Sequence, residues 1–410
     1  MKFDSSLFLG CPMYIQRLLE AKINSTLKRG KSVLLLGPRQ TGKTTLIDRI
    51  PAQKRITLAN PFDRIRYEKE PFLLTAEVEK LAIEKSSIRK QSKHPLVMID
   101  EIQKLPLLMD AVQDLIDRKV AMFILTGSSA RKLCRRGHVN LLPGRVIPLR
   151  LDPLNQEEIP SSYQSLNNLL LYGSLPEIVL QKNKYECENL LEAYVTIYLE
   201  EEIRAEAIVR DIGHFARFLE LAASESGKIV NFTKLSQEIG ITHSTIASYY
   251  QILEDCLVAE RIEPLIMSKT RRKLTKSQKY LFYDLGVRRV AAREGDRLSR
   301  EQLGHLFEHY VGLELIRFIR LSQYRYRLKY WRDQNGPEVD WVIETGDHYI
   351  PIEVKWTQMP ALSDAKHLQI FLREYPQAKN GYIICQTPHA MKLNKNIYAL
   401  PWDQLSEVFK

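Results

Sequence analysis

The sequence predicts an α/β chain in three parts. These are a doubly wound parallel sheet carrying a phosphate-binding loop, a winged helix-turn-helix, and a second α/β domain. Three observations carry that reading. Gly37-Pro38-Arg39-Gln40-Thr41-Gly42-Lys43-Thr44 fills every fixed position of the pattern G-x-x-x-x-G-K-[ST]. Short apolar runs alternate with helical periodicity as far as Leu151. Acids also stand on or after strand-like runs twice, as Asp100-Glu101 and as Asp340 with Glu353.

Composition narrows the class. With 410 residues the chain has room for two or three domains, each with its own core. A hydrophobic share of 44% and a charged share of 27% are those of a soluble globular protein. No apolar run approaches the roughly 20 residues of a membrane span. The start, Met1-Lys2-Phe3-Asp4, lacks the charged-then-apolar build of a signal peptide. A cytoplasmic protein with no membrane partner is expected. The five cysteines (Cys11, Cys134, Cys187, Cys256, Cys385) are odd in number, far apart and in no zinc-like spacing, so reduced thiols are expected. A formal net charge of +11 suggests a polyanionic partner, nucleic acid first.

Residues 13 to 30 read as an amphipathic helix packing against the sheet edge. Ser32-Val33-Leu34-Leu35-Leu36 is a continuous apolar run, as a buried parallel strand should be. The phosphate loop follows it, and Thr44-Thr45-Leu46-Ile47 opens a helix whose N-terminus favours phosphate charge. The loop glycines let successive N–H groups point inward, Lys43 adds a charge on the phosphates, and Thr44 is placed to ligate Mg²⁺. ATP contacts are therefore assigned to Gly37, Pro38, Arg39, Gln40, Thr41, Gly42, Lys43, Thr44 and Thr45. A second strand is read at Arg55–Ala59, a charge-rich helix at about 68–90, and a third strand at Pro95–Glu101. A fourth runs over Val120–Ser129 and a short fifth over Val146–Leu151.

Asp100 and Glu101 follow an apolar strand. In ATPases of this build the first acid holds the Mg²⁺ shell and the second polarises the attacking water. The polar end of the fourth strand can sense the γ-phosphate, and Ser128 is preferred over Thr126 for that role.

With these residues in place the chain resembles the bacterial and archaeal AAA+-type ATPases that carry a C-terminal region of unknown function. The resemblance covers nearly the whole length. It rests on GPRQTGKTT (37–45), LVMIDEIQKLP (96–106), ILTGSS (124–129), LPGRV (142–146) and LYGSLPEIV (171–179). In that family the last two resemble a turn placing an arginine near the nucleotide and a lid-like helical segment. On that match Arg145 is the candidate sensor or finger arginine. By the residues alone it is a base exposed at a Pro-Gly-Arg turn, and a structural role fits as well.

From Pro153 the composition shifts, and the polar residues 160 to 168 read as a linker. Glu186–Arg204 and Gly213–Ser224 are helical by periodicity. Phe232–Ile239 is then a short helix, Gly240-Ile241 its turn, and Thr242 the cap of a second helix, His243–Leu253. Cys256–Ile266 supplies the strand of a wing. The second helix offers His243, Ser244, Thr245 and Ser248 but no arginine for a guanine edge, so a DNA reader and a structural adaptor both fit. The stretch from Lys269 to Lys279 holds six basic residues and no acid, which suits phosphate contacts without base reading.

The last third begins with a periodic helix, Leu303–Leu321, carrying Glu308, and continues through a loop at 331–337. Strands are read at Glu338–Ile343 and Tyr349–Trp356, joined by a turn Thr345-Gly346-Asp347. A three-residue turn would set Asp340 opposite Ile352, so that it reaches Glu353 only diagonally or across a bulge at Pro351. Glu353 and Lys355, two apart, share a strand face. This pattern of acid, then acid-x-lysine, resembles the catalytic core of restriction-endonuclease-like (PD-(D/E)XK) nucleases. The resemblance implies that Asp340 and Glu353 hold Mg²⁺ or Mn²⁺, that Lys355 positions water, and that Glu308 is the helical acid.

The resulting expectation is an AAA+-like P-loop domain at 1–159, a helical segment with winged helix at 169–285, and a nuclease-like domain at 286–410. ATP and Mg²⁺ are the expected cofactors, DNA the expected partner, and a homo-oligomer is open. One rival is an ATP-dependent switch binding protein partners, with an inactive recognition domain at its end. Another is a metal nuclease whose ATPase licenses cutting.

Overall fold

The three central strands of the first sheet are apolar on both sides, which requires a layer of helices on either face. The structure, a computed structural model, describes residues 14–88, 94–128, 144–199, 212–266, 274–333 and 336–409. The strands are β1 (Ser32–Leu36), β2 (Lys54–Thr57), β3 (Leu96–Asp100), β4 (Met122–Gly127) and β5 (Val146–Arg150). All pair in parallel, in the spatial order β2-β3-β4-β1-β5. The helices between them are α1 (Leu19–Lys28), α2 (Lys43–Asp48), α3 (Pro61–Lys69), α4 (Phe72–Ile88) and α5 (Leu108–Asp117). Val33, Leu35, Met98 and Ile124 pack with Leu19 and Ile23 of α1 and Leu46 and Ile47 of α2. Leu34, Val97, Ile99 and Phe123 point the other way, onto Leu74 and Val78 of α4 and Val112 and Leu115 of α5.

Two readings of this region need correction. The first helix lies on the face of the sheet rather than against its edge, because its apolar stripe meets β1 side chains. The helix read at 68–90 is α4, which starts only at Phe72, and a separate helix, α3, precedes it. Pro71 forces the preceding Glu70 to φ −133°, ψ 75°, outside the helical region, so α3 stops and α4 restarts beyond it.

The segment read as a linker is also structured. A 3₁₀ turn, Ser161–Tyr163, leads into α6 (Leu166–Tyr172), capped by the Ser165 hydroxyl. Leu166, Leu169 and Leu170 are spaced to share one face and are buried there, which polar flanking residues concealed. Next come α7 (Pro176–Leu180), α8 (Lys184–Ala193) and a π-helical turn at Tyr194–Leu199. The rest of the helix read to Arg204 lies outside the described residues. Beyond it are α9 (Ile212–Ser224), α10 (Phe232–Ile239) and α11 (His243–Asp255). Gly240 takes φ 80° between the last two, and the Thr242 hydroxyl accepts from Thr245 N at 3.2 Å. A hairpin follows, β6 (Ala259–Pro264) with β7 (Lys279–Phe282), then α12 (Leu285–Ala291). Residues 267–273, which hold most of the basic stretch, lie outside the described residues.

The chain ends with α13 (Arg300–Leu321), β8 (Arg327–Arg332), β9 (Glu338–Glu344), β10 (Tyr349–Val354), α14 (Lys366–Glu374), β11 (Gly381–Cys385), β12 (Met391–Lys392) and β13 (Ile397–Pro401). β6 pairs in parallel with β8, so the hairpin continues the C-terminal sheet in the order β12-β13-β11-β10-β9-β8-β6-β7. Phe307 and Val311 of α13 pack on one face against Trp341 and Ile352, and Leu368 and Phe371 of α14 on the other against Trp331 and Val342. Cys187, Cys256 and Cys385 are buried; Cys11 and Cys134 lie outside the described residues.

The turn between β9 and β10 has four residues, not three. Thr345 N donates to His348 O at 3.0 Å, and the pairs run from Tyr349↔Glu344 to Ile352↔Trp341. The expected pairing of Asp340 with Ile352 is therefore wrong: Ile352 pairs with Trp341, because His348 lengthens the turn.

Candidate functional site

The phosphate loop is shaped by what it must pass. A Cβ on Gly37 would run into the Leu151 carbonyl oxygen, so only glycine lets the chain leave β1 beside the end of β5. Gly42 takes φ 86° immediately before α2, where a side chain is strained. Lys43 is buried, and its ammonium donates to the carbonyls of Gly37 and Pro38, both at 2.8 Å. Arg17 braces the loop from outside: its guanidinium donates to Thr41 O and Asp152 O, each at 2.7 Å, and pairs with Glu158 at 3.1 Å. Pro176 of α7 lies 4.0 Å from where a Gly42 Cβ would stand, and the Tyr194 hydroxyl donates to Arg39 O at 3.4 Å. The segment after α6 thus lies over the loop. A cavity of about 380 Å³ opens here, lined by Arg39, Gln40, Lys43, Thr44, Asp100 and Glu101 among others.

Strand order brings the acids to the same place. Asp100 ends β3, two strands from β1, and three hydroxyls meet its carboxylate. Thr44 donates to Oδ2 at 3.0 Å, Thr57 to Oδ2 at 3.4 Å, and Thr126 to Oδ1. Glu101 sits in the left-handed region at φ 59°, a costly position for a side-chain-bearing residue. Its N–H donates to Thr126 Oγ1 at 3.0 Å, and its Oε2 accepts from Gln103 Nε2 at 2.6 Å. Gln103 Nε2 also donates to Ser128 Oγ at 3.1 Å. Sequence reasoning missed Arg17, Thr57 and Gln103, and ranked Thr126 second although it touches both acids. Gln103, two residues past Glu101, carried a positional signal; Arg17 carried none.

Ser128 is fully buried and is linked to Glu101 through Gln103. Arg145 does not reach the cavity. It precedes β5, level with the start of β1 (Ser32↔Val146), whereas the loop follows the far end of that strand. At about 3.3 Å per residue this is over 10 Å away. Arg145 pairs there with Asp117, Nε to Oδ1 at 2.6 Å and Nη2 to Oδ2 at 2.9 Å. The expectation that it senses the nucleotide of its own chain is not met, because the Pro-Gly turn lies at the wrong end of the sheet.

A second group of charges lies between the hairpin and the C-terminal sheet. Asp340 Oδ2 accepts from Val354 N at 2.7 Å. Glu353 is 3% exposed; its Oε1 accepts from Lys355 Nζ at 2.7 Å, and its Oε2 is buried with no hydrogen-bond partner. Burial pushes the Glu353 carboxyl up to about 7, with Glu308 and Glu338 adding to it and Lys355 opposing. Burial, then Glu353 and Glu308, raise Asp340 well above the usual carboxylate range. Glu308 of α13 accepts from Lys279 Nζ at 2.8 Å, and its backbone carbonyl accepts from Trp341 Nε1 at 3.1 Å. A cavity of about 1130 Å³ is lined here by His243, Lys276, Lys279, Glu308, Glu338 and Asp340 among others. Among the described residues, no three His, Cys, Asp or Glu side chains are grouped so as to hold a metal ion. Among them, too, no helix is long and apolar enough to cross a membrane.

Three family models match parts of the chain. Residues 29–160 match the model of an AAA domain. The first domain is of the AAA type. After the AAA domain, residues 163–297 and 303–405 match two domains of unknown function, DUF8612 and DUF4143. An uncharacterized protein of Mycobacterium tuberculosis is 25% identical over 97% of this chain and 86% of its own length. One from Methanocaldococcus jannaschii is 22% identical over 94% of this chain and 87% of its own. Among solved structures, the Aeropyrum pernix ORC1 protein in complex with DNA is 12% identical over 69% of this chain and 94% of that one, at a TM-score of 0.27. A Pyrococcus horikoshii STAND protein is 12% identical over 76% and 47%, also at 0.27. Likeness at that level carries no argument about this chain.

Proposed function

We propose that this chain is a Mg²⁺-dependent ATPase that acts on DNA, with a winged helix in its middle part and a nuclease-like domain at its end. The observation that carries the reading is the Asp100 carboxylate, shared by the Thr44 hydroxyl of the phosphate loop and by Thr126, which also fixes Glu101. The residues present fit ATP: the Lys43 ammonium is held on two loop carbonyls and can turn to phosphate oxygens instead. Thr44 and Asp100 would hold Mg²⁺, which neutralises charge developing on the phosphates. Glu101, held by its own N–H and by Gln103, is placed to accept a proton from the attacking water. Ser128 acts through Gln103 on the position of Glu101.

For the C-terminal part, the nearness of Asp340 to Glu353 and the orphaned Glu353 oxygen support a divalent-cation site. Lys355 would position water there, with Glu308 beside it. The net charge of +11 and the basic stretch from Lys269 support a DNA partner. The Lys279–Glu308 ion pair favours a second reading, an ATP-driven switch whose nuclease-like domain only recognises. One experiment separates the two: ATP turnover by wild type and Asp340→Ala, with single- or double-stranded DNA, in Mg²⁺ and Mn²⁺. DNA-stimulated turnover in both proteins, with cutting by wild type alone, is expected. Turnover indifferent to DNA, with intact strands throughout, would leave the switch.

A further inference from the structure

Lys279 belongs by sequence to the exposed basic stretch, yet it opens β7 with its side chain only 11% exposed. Its ammonium lies 2.8 Å from Glu308 Oε1 and about 5 Å from two aromatic ring centres, at 5.1 Å over Tyr330 and 5.0 Å over Trp341. That is a cation held on one side by a carboxylate and on the other by π faces. The neighbour of Trp341 along β9 is Asp340. Burial disfavours the ammonium, but Glu308, Asp340 and Glu338 outweigh it and hold its pKa above that of a free lysine. Lys279 comes from the hairpin, whereas all these acids come from α13 and β9.

The cluster still has more acid than base. Glu338 is paired with Arg332 at 3.0 Å, but Glu308, Asp340 and Glu353 face two ammonium groups, Lys279 and Lys355, and Glu353 Oε2 is buried without a donor. We propose that Lys279 is a resident counter-ion that competes with a divalent cation for this cluster, so that the hairpin sets how tightly metal binds. This rests on the reading of Asp340 and Glu353 as a cation site. The Lys279 ammonium occupies a Glu308 oxygen and places a positive charge beside Asp340, both of which an incoming Mg²⁺ or Mn²⁺ must overcome. Displacing the ammonium exposes the Glu308 carboxylate to the cation.

The test is calorimetric titration of Mn²⁺ into the full chain, without nucleotide, for wild type, Lys279→Met and Lys279→Arg, each alone and with Asp340→Asn. Methionine keeps an unbranched stem against Tyr330 and Trp341 and removes only the charge; arginine keeps the charge. Lys279→Met should bind Mn²⁺ at least tenfold tighter than wild type, Lys279→Arg should match wild type, and Asp340→Asn should abolish the gain. Thermal melts confirm that each variant folds, and Lys279→Gln replaces methionine if that variant does not. Binding dependent on Asp340 but equal in wild type and Lys279→Met would overturn the competition while the cation site stands. So would an equal gain with arginine. No Asp340-dependent binding in any variant would overturn both.

Discussion

His309 follows Glu308 on α13 and faces away from the acids, with its Nε2 at 3.0 Å from the Phe282 carbonyl. The carbonyl can only accept, so Nε2 carries the proton, and the buried Nδ1 has no hydrogen-bond partner. Burial lowers its pKa to about 3; Arg288 and Arg317 push the same way, and the Phe282 carbonyl opposes them. The unfolded value is near 6.5. The folded chain therefore refuses a proton that the unfolded chain accepts, so the stability linked to His309 is complete above about pH 6.5 and is lost as pH falls toward 3. His309→Gln should flatten the fall in melting temperature between pH 7 and 5, and parallel curves for variant and wild type would contradict this. Single residues were the least legible feature of the sequence. Lys43, Thr44, Asp100 and Glu101 were readable because a loop pattern and an apolar strand fix their places. Arg17, Gln103 and the burial of Lys279 were not, since each depends on contacts between segments far apart in the chain.

At the scale of elements the sequence was more informative. Strands β1 to β5 and the pair α10 and α11 lie within a few residues of where apolar runs, Gly240 and the Thr242 cap put them. Local chemistry suffices there: a glycine at positive φ and a capping hydroxyl need no tertiary partner. The length of the β9–β10 turn was misread because Thr345-Gly346-Asp347 is a complete turn signal and His348 carries none. The joining of β6 to β8 was invisible, because it pairs segments more than sixty residues apart. Packing between α6 and α12 is equally non-local and gives a sharp prediction. A Cβ on Gly286 would collide with the Tyr172 carbonyl, which belongs to backbone and cannot swing away. Next to it, Asp284 caps α12 through Val287 N at 3.1 Å and holds Ser174 N at 2.7 Å. Gly286→Ala should cost roughly 1–3 kcal/mol by overpacking. Urea titration checks it, and an unchanged midpoint would mean that the two helices can separate freely.

Over the whole molecule, the AAA domain and the C-terminal part are joined through charges at the end of β5. Asp152 follows Leu151, whose carbonyl touches the phosphate loop, and its carboxylate accepts from Arg320 of α13 at 2.7 Å. Arg320 also holds Glu260 of β6 at 2.6 Å, and Arg317 reaches Leu154 O at 2.9 Å. The phosphate loop, the hairpin and α13, which carries Glu308, thus share one half-buried network. The α/β class of the AAA domain was legible; this junction was not, since Asp152 and Arg320 read as ordinary charges until the fold brings them together. The proposed function depends on hydrolysis of ATP in the pocket beside the phosphate loop, with Glu101 as the base. It is tested most directly by measuring ATP retention and turnover side by side for wild type and Glu101→Gln. The amide keeps the size of the side chain but cannot take the proton, so turnover should fall about 100-fold or more while ATP stays bound with unchanged affinity. Wild-type turnover by Glu101→Gln would contradict the claim.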